Sequence, residues 1–515
     1  MRADTYDTLA DVAHEQGQRH RDKPAIIFEG ETITFGDVDH HADAVAARLR
    51  AIGVAPGDRV ALLARNSATY AILLFGIAKA QAVATPLNWR LAPAEIAYIV
   101  EDAGARVLVL DPVLAPLAPS NSGLLILSLD EALTPPDADR VAPIEPREAA
   151  RRSDLAALIY TSGTTGQPKG VMLTHGAFAR HCELDAISTP HHVGLSRDDV
   201  ALLVLPLFHI GGIEFLLRPY FTGATTVIHQ DFDVGRILDD VQRYKVTVMG
   251  LVPTAMQMML RHPRCAATDF SSVRRFIYGA SPIPIDLLKE GVRRFDCEFL
   301  QSYGMTETAG TCVMLSPEDH RDPDAPRMRA AGLPILGAEL KIVDTGGRET
   351  LPHGVGEILV RGSGVMAGYW RRPDATAAAL DSDGWLRSGD AGYLDEDGYL
   401  YVHDRVKDMI ISGGENIYPA EVESAIYGHP AVAEAAVVGV PDDTWGEAVK
   451  AIIVLKPGAS LDADELIAWT KTRIASFKAP KSVDLVTELP KNAAGKILRR
   501  EIRDAYWRGR DRPVS

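Results

Sequence analysis

The sequence predicts a large N-terminal α/β domain of layered sheets and helices, followed by a small α+β domain. Three observations carry that expectation: a chain of 515 residues, an alternation of helical and strand-like patterns over its first 400 or so positions, and a change of texture after about residue 403. Such a length exceeds what one hydrophobic core organises. Hydrophobic residues make up 46% and charged residues 24%, the profile of a soluble globular chain.

Taken in order, YAILLFGIAKAQAV (from Tyr70) predicts a helix buried on most sides, and RVLVLD (from Arg106) and TTVIHQ (from Thr225) predict short strands. LAALIY (from Leu155) is a strand, and GVMLTH (from Gly170) is short enough to be another. Beyond His403, Pro419 with Glu421 and Glu423 opens a helix running through Ile426. VAEAAVVGV and AVKAIIVLK follow as strands. Asp462 and Glu465 resemble a capping box that starts a helix carrying Leu466, Trp469 and Ile474. The boundary falls in HDRVKD, His403 to Asp408, giving domains 1–404 and 405–515.

Composition excludes several functions. With 54 Lys and Arg against 69 Asp and Glu the net charge is −15, which argues against general nucleic-acid binding; an anionic substrate then needs a locally built site. Cys182, Cys265, Cys297 and Cys312 are scattered with no C-x-x-C, so a reduced, cytoplasmic compartment is expected. The opening MRADTYDTLADVAHEQ lacks a basic-then-apolar signal pattern, and DRPVS at the other end is not a peroxisomal signal. Charges or proline interrupt the apolar stretches Ala71–Ala84 and Ala201–Phe221, so no transmembrane segment is expected. The pairs His40–His41 and His191–His192 have no partners at metal-site spacing.

The densest cluster of small, hydroxyl and glycine residues is YTSGTTGQPKG, Tyr160 to Gly170. It fails the Walker spacing, and Pro168 removes a backbone donor and biases Gln167 away from helix. The loop is therefore expected to join two strands. Four further stretches combine chemistry-bearing residues with glycine: SYGMTET (Ser302–Thr308), RSGDAGY (Arg387–Tyr393), DRVKDMIISGGENIYPAE (Asp404–Glu421) and PKNAAGKILRR (Pro490–Arg500). Singly each has an ordinary reading as a turn or a solvated loop.

In this order, from TFGDVDHHADAVAARL (Thr34–Leu49) to GKILRR, they resemble the adenylate-forming superfamily of acyl-CoA synthetases, peptide-synthetase adenylation domains and luciferases. The resemblance implies the adenylate-forming enzyme fold, whose small C-terminal domain is mobile, with ATP and Mg2+ as cofactors and coenzyme A as co-substrate. It implies that Thr161, Ser162, Gly163, Thr164, Thr165, Gly166 and Lys169 form the phosphate loop, and that Glu307 holds the metal. Thr306 would meet the α-phosphate, Tyr303 would stack on adenine beside Gly279, Ala280 and Ser281, and Asp390 with Arg405 would bind the ribose. Lys496 is implied as the catalytic lysine, because carboxylate attack on phosphate brings two anions together and an ammonium bridges them. Lys407 falls at the hinge, and Ser412, Gly413, Gly414 and Glu415 form the coenzyme A-facing loop. Gly304 and Met305 belong to the acyl pocket, as does His209 in LPLFHIGG, whose rival reading is a buried core histidine.

The expected activity is carboxylic acid + ATP → acyl-AMP + pyrophosphate, then transfer of the acyl group to coenzyme A. A medium- or long-chain fatty acid is preferred, with an aryl acid as the close alternative. Four methionines in VMGLVPTAMQMML (Val248–Leu260) either line an acyl channel or fill core. A dicarboxylate would need a cation such as Arg218, which could equally lie on the surface. The rivals are an acyl-AMP ligase that loads a carrier protein, a luciferase-like oxidase and a non-catalytic ATP-binding regulator. A homodimer is kept as a candidate assembly.

Overall fold

The computed structural model describes residues 6–120, 123–136, 150–161, 167–185, 193–322, 324–405, 408–412, 415–442, 444–491 and 497–508. Elements that bear on the site are numbered along the chain. The helices are α1 (Pro93–Ala103), α2 (His175–Asp185), α3 (Ile210–Thr222) and α4 (Pro419–Tyr427). The strands are β1 (Leu155–Thr161), β2 (Lys169–Thr174), β3 (Arg275–Gly279), β4 (Glu298–Met305), β5 (Gly310–Leu315), β6 (Gly368–Tyr369), β7 (Leu386–Leu394) and β8 (Leu400–Arg405).

Two large sheets face each other across helices. A seven-stranded sheet carries β6, β2 and β1 at one end and four parallel strands beyond them. Among those four, Val107–Leu110 is buried along its whole length, as a parallel strand covered on both faces requires. A nine-stranded sheet carries β5, β4 and β3 near one edge. One core joins Ile26, Leu203 and Ile228 of the nine-stranded sheet to Val60, Leu62 and Val109 of the other. Helix Ala68–Lys79 belongs to that core and is buried from Ala68 to Ala78 save Thr69, because it is apolar all round. Ser67 caps it by accepting from the Tyr70 backbone N–H.

The other face of the nine-stranded sheet is closed by a second core, in which Met249, Met256 and Met259 pack with Phe276, Phe295 and Phe299. Met258 points outward and is 56% exposed. Three of the four methionines of that stretch are thus core packing. A four-stranded antiparallel sheet follows, containing β7 and β8.

The small C-terminal domain is a fourth sheet with helices against it, centred on Ile410, Val422, Val437, Val449 and Leu466. Its strand pair Val432–Asp442 and Gly446–Leu455 and the helix at Pro419 lie where the sequence places them. Asp462 caps helix Ala463–Lys471, accepting from the N–H groups of Asp464 and Glu465. His403 on β8 stacks on Tyr418, the residue before α4, with ring centroids 4.5 Å apart. Among the described residues no helix is long and apolar enough to cross a membrane.

Candidate active site

The glycine- and hydroxyl-rich loop is slung between antiparallel strands, with Tyr160 opposite Gly170 and Thr161 opposite Lys169. Ser162, Gly163, Thr164, Thr165 and Gly166 lie outside the described residues; their two anchors do not. On one side, the hydroxyl of the half-buried Tyr160 donates to Asp102 Oδ2 on α1 at 2.7 Å. On the other, the Tyr98 hydroxyl of α1 reaches Pro168 O at 3.4 Å. Arg372 closes the frame with 2.8 Å to Asp102 Oδ1 and 2.9 Å to the Tyr98 hydroxyl. Burial, reinforced by Asp102, pushes the Tyr160 phenol far above its ordinary range, so it stays a donor.

Strand β6 lies beside β2, pairing Tyr369 with Val171. The ammonium of Lys169 sits 5.1 Å from the centre of the Tyr369 ring, and that tyrosine's hydroxyl donates to Glu307 Oε1 at 3.0 Å. Lys169 and Glu307, far apart in sequence, therefore meet across one aromatic ring. Glu307 occupies a short 3-10 turn, Thr306–Thr308, at the end of β4; its carbonyl accepts from Met366 N at 2.8 Å. Among the described residues no group of three or more His, Cys, Asp or Glu is placed to hold a metal. Glu307 itself offers one carboxylate, a ligand suited to a hard cation such as Mg2+ that would take phosphate and water oxygens for the rest of its shell.

Strands β3 and β4 run parallel with Gly279 opposite Ser302. A Cβ on Gly279 would come within 2.1 Å of Ser302 O, and one on Gly304 within 2.0 Å of Gly310 O, so both positions require glycine. Ala280 follows in a left-handed conformation, φ +67°. Ser281 is half-buried, and Met305 packs against the first core. The Tyr303 hydroxyl donates to Asp390 Oδ2 at 2.8 Å, bringing two predicted nucleotide contacts together. Burial first, and the Asp390 charge second, push that phenol well above its ordinary value. Asp390 is buried, its backbone N–H held by the Ser388 hydroxyl at 3.0 Å, and it pairs across β7–β8 with Arg405.

In the small domain Ser412 pairs with Glu415 across a tight antiparallel hairpin, the arrangement a Gly-Gly turn favours. Gly413 and Gly414 themselves, with Lys407, Lys496 and the Arg405 side chain, lie outside the described residues.

His209 precedes α3, with its N–H on Pro206 O. The residue as a whole is half-exposed, but its Nε2 is enclosed with no hydrogen-bond partner among the described residues, so it is not a satisfied core histidine. Burial, with Arg90 adding repulsion, pushes its pKa down to about 4. A depressed histidine contributes stability that is present above the unfolded value near 6.5 and lost as pH falls toward 4. Urea midpoints should therefore fall between pH 6.5 and 4, and His209→Phe should flatten part of that fall. An unchanged slope in the variant would contradict the burial argument.

Arg218 is not on the surface. It is buried on α3 and donates to Glu214 Oε1 at 3.0 Å. Of the histidine pairs, His40 is exposed and His191–His192 lie outside the described residues. Cys265 and Cys312 are buried and Cys297 half-buried, all free thiols. Tyr98, Asp102, Tyr369 and Arg372 carry no signal in the sequence; GYWRRPD offers only a glycine followed by an aromatic pair.

Comparison with known proteins bears directly on this arrangement. The AMP-binding enzyme family matches residues 13–370, and the AMP-binding enzyme C-terminal domain matches 421–496. The fatty acid–[acyl-carrier-protein] ligase ScoC of Streptomyces coeruleorubidus is 40% identical over 512 residues, covering 99% of this chain and 98% of its own. A feruloyl-CoA synthase of Amycolatopsis is 40% identical over 483 residues, 94% and 96% of the two chains. The o-succinylbenzoate CoA synthetase (MenE) of Bacillus subtilis, solved with its acyl-adenylate intermediate OSB-AMP, aligns with a TM-score of 0.81 and 35% identity over 96% and 98% of the chains. The same synthetase solved with ATP and magnesium ion gives 0.83 and 35% over 95% and 98%. Fold and site thus define an AMP-forming acid–thiol ligase. The chain belongs to the AMP-binding enzyme family.

Proposed function

We propose that the protein activates a carboxylic acid with ATP to an acyl-adenylate, releases pyrophosphate, and passes the acyl group to coenzyme A. The carboxylic acid carries an apolar tail, of the medium- to long-chain fatty type. The observation that carries this substrate class is the buried Glu214–Arg218 pair: the cation that could receive a second carboxylate is already engaged with a carboxylate of the protein.

A free carboxylate is a poor electrophile with a poor leaving group, and adenylation supplies AMP as a good one. The loop Thr161–Lys169 wraps the β- and γ-phosphates with hydroxyls and backbone N–H groups. Magnesium, when bound at Glu307, neutralises phosphate charge. Thr306 hydrogen-bonds the α-phosphate, Tyr303 lies against adenine, and Asp390 and Arg405 hold the ribose. Lys496 bridges the attacking carboxylate and the α-phosphate. The small domain then turns about Lys407, withdraws Lys496 and presents Ser412–Glu415, whose glycines leave room for the pantetheine arm. The thiol, partly ionised near neutral pH, attacks the mixed anhydride. His209 lines the path between thiol and acyl group as a neutral ring, consistent with its lowered pKa.

The feruloyl-CoA synthase relative favours a second reading, an aryl acid, and ScoC favours a carrier protein as acceptor. One panel separates them: pyrophosphate release with fatty, aryl and dicarboxylic acids, each with coenzyme A, with acyl-carrier protein and with neither. Fatty acids with coenzyme A should give the highest kcat/KM. Preference for ferulate-like acids, or thioester formed on carrier protein alone, would overturn the main reading in favour of the respective alternative.

A further inference from the structure

Three charged side chains are buried together behind the Thr306–Thr308 turn. Arg180, on α2, is enclosed, and its Nη2 donates to the carbonyl oxygens of Thr308 at 2.7 Å and Thr311 at 2.8 Å. Glu214, on α3, accepts from the Thr311 N–H at 3.0 Å through Oε2 and from Arg218 Nη1 through Oε1. Between the two carbonyls the chain doubles back from β4 to β5 through Ala309 and Gly310, both left-handed, at φ +51° and +99°.

A bend of this kind could be satisfied by neutral donors or water. Enclosing an ion instead costs several kcal/mol unless its partners are well placed. The cluster has two guanidiniums and one carboxylate, and Arg180 spends its bonds on backbone carbonyls rather than on an acid. Burial holds the Arg180 guanidinium below its ordinary range, with Glu214 opposing that shift. Its Nε is also buried with no hydrogen-bond partner among the described residues. Such a commitment makes sense if the position of the bend matters more than its cheapest packing.

We propose that Arg180 is a positioning residue for Thr306 and Glu307: by holding the carbonyls of Thr308 and Thr311 it fixes where the turn presents its carboxylate to the magnesium–nucleotide, while Glu214, braced by Arg218, pins the other side of the bend. The inference rests on the ligase reading above and adds to it a group that touches neither substrate nor metal. Gly364 belongs to the same device, because a Cβ there would lie 1.9 Å from Arg180 Nη1.

Two variants test it. Arg180→Lys keeps the charge but loses the fork that spans both carbonyls, and Gly364→Ala displaces the guanidinium without removing it. Binding of ATP is measured by calorimetry without acid, in excess Mg2+ and in EDTA, alongside kcat and KM for pyrophosphate release across a Mg2+ titration. The expected result is magnesium–ATP affinity weakened about 10- to 100-fold, the scale of a lost supporting contact at a metal site. The half-maximal Mg2+ concentration should rise in step, with ATP binding in EDTA weakened far less, by the displaced Thr306 alone, and KM for the acid unchanged. Either folded variant showing the wild-type Mg2+ midpoint, or all rates reduced by one common factor at unchanged midpoints, would overturn the proposal. A wild-type protein that binds magnesium–ATP yet releases no pyrophosphate with any acid defeats the ligase reading alone, and leaves the binding comparison decisive for Arg180.

Discussion

Lys496→Ala should reduce acid-dependent pyrophosphate release by about 10²- to 10³-fold, the scale of removing one charge-stabilising donor from a transition state. Thioester formation from preformed acyl-AMP and coenzyme A should continue at nearly the wild-type rate. The asymmetry is the informative part. In the first half-reaction an anionic carboxylate approaches an anionic phosphate, and a cation between them lowers that barrier. In the second, a thiol attacks a carbonyl, and the cation has no corresponding task. Lys491 and Ile497, the described residues on either side of Lys496, pair as an antiparallel bridge, and truncating the Lys496 side chain leaves that backbone pairing intact. Equal loss in both half-reactions, measured by pyrophosphate release and by thioester formation separately, would assign Lys496 a structural role.

Asp390→Asn should raise KM for ATP about 10- to 100-fold, since hydrogen bonds to a charged group contribute roughly 1.5–3 kcal/mol. The Asn carbonyl oxygen still accepts from Tyr303, whose hydroxyl is 2.8 Å from Asp390 Oδ2 in the native protein. What is lost is the ionised acceptor for the ribose hydroxyls, because the amide then presents N–H donors. Melting temperature should change little, and KM for the acid should not change. A variant with wild-type KM for ATP would remove Asp390 from the nucleotide site.

Much of this was legible in sequence, for identifiable reasons. Pro168 and the β-rich flanks forecast a loop between two strands, and Thr161 opposite Lys169 is that loop's closing pair. Pro419 and Asp462 mark helix starts because missing donors and capping oxygens act within one turn. Tyr369 was illegible. Its role depends on a two-residue strand pairing with residues nearly 200 positions earlier, and no local period encodes such a pairing. The same holds for Tyr98 and Asp102, which brace the loop from a helix that reads as ordinary amphipathic sequence. Arg218 shows the limit differently. Its i, i+4 spacing from Glu214 is visible, but only tertiary packing decides that the pair is enclosed. The methionine stretch is ambiguous for the same reason, since a soft side chain fills a channel wall and a core equally well.

The pairing of Asp390 with Arg405 carries a mechanical consequence. The strand to which the proposed ribose contacts belong is the last strand before the small domain. With the proposed hinge at Lys407, a swing would start two residues beyond that contact, and the pivot would lie next to the ligand while the ligand stays off the moving arm. On those assignments the nucleotide would keep one address through both half-reactions, like an axle on which two tools are exchanged. Premature escape of the acyl-adenylate would then be opposed throughout the exchange, because the proposed grip on its sugar need not be released to bring the second tool into place.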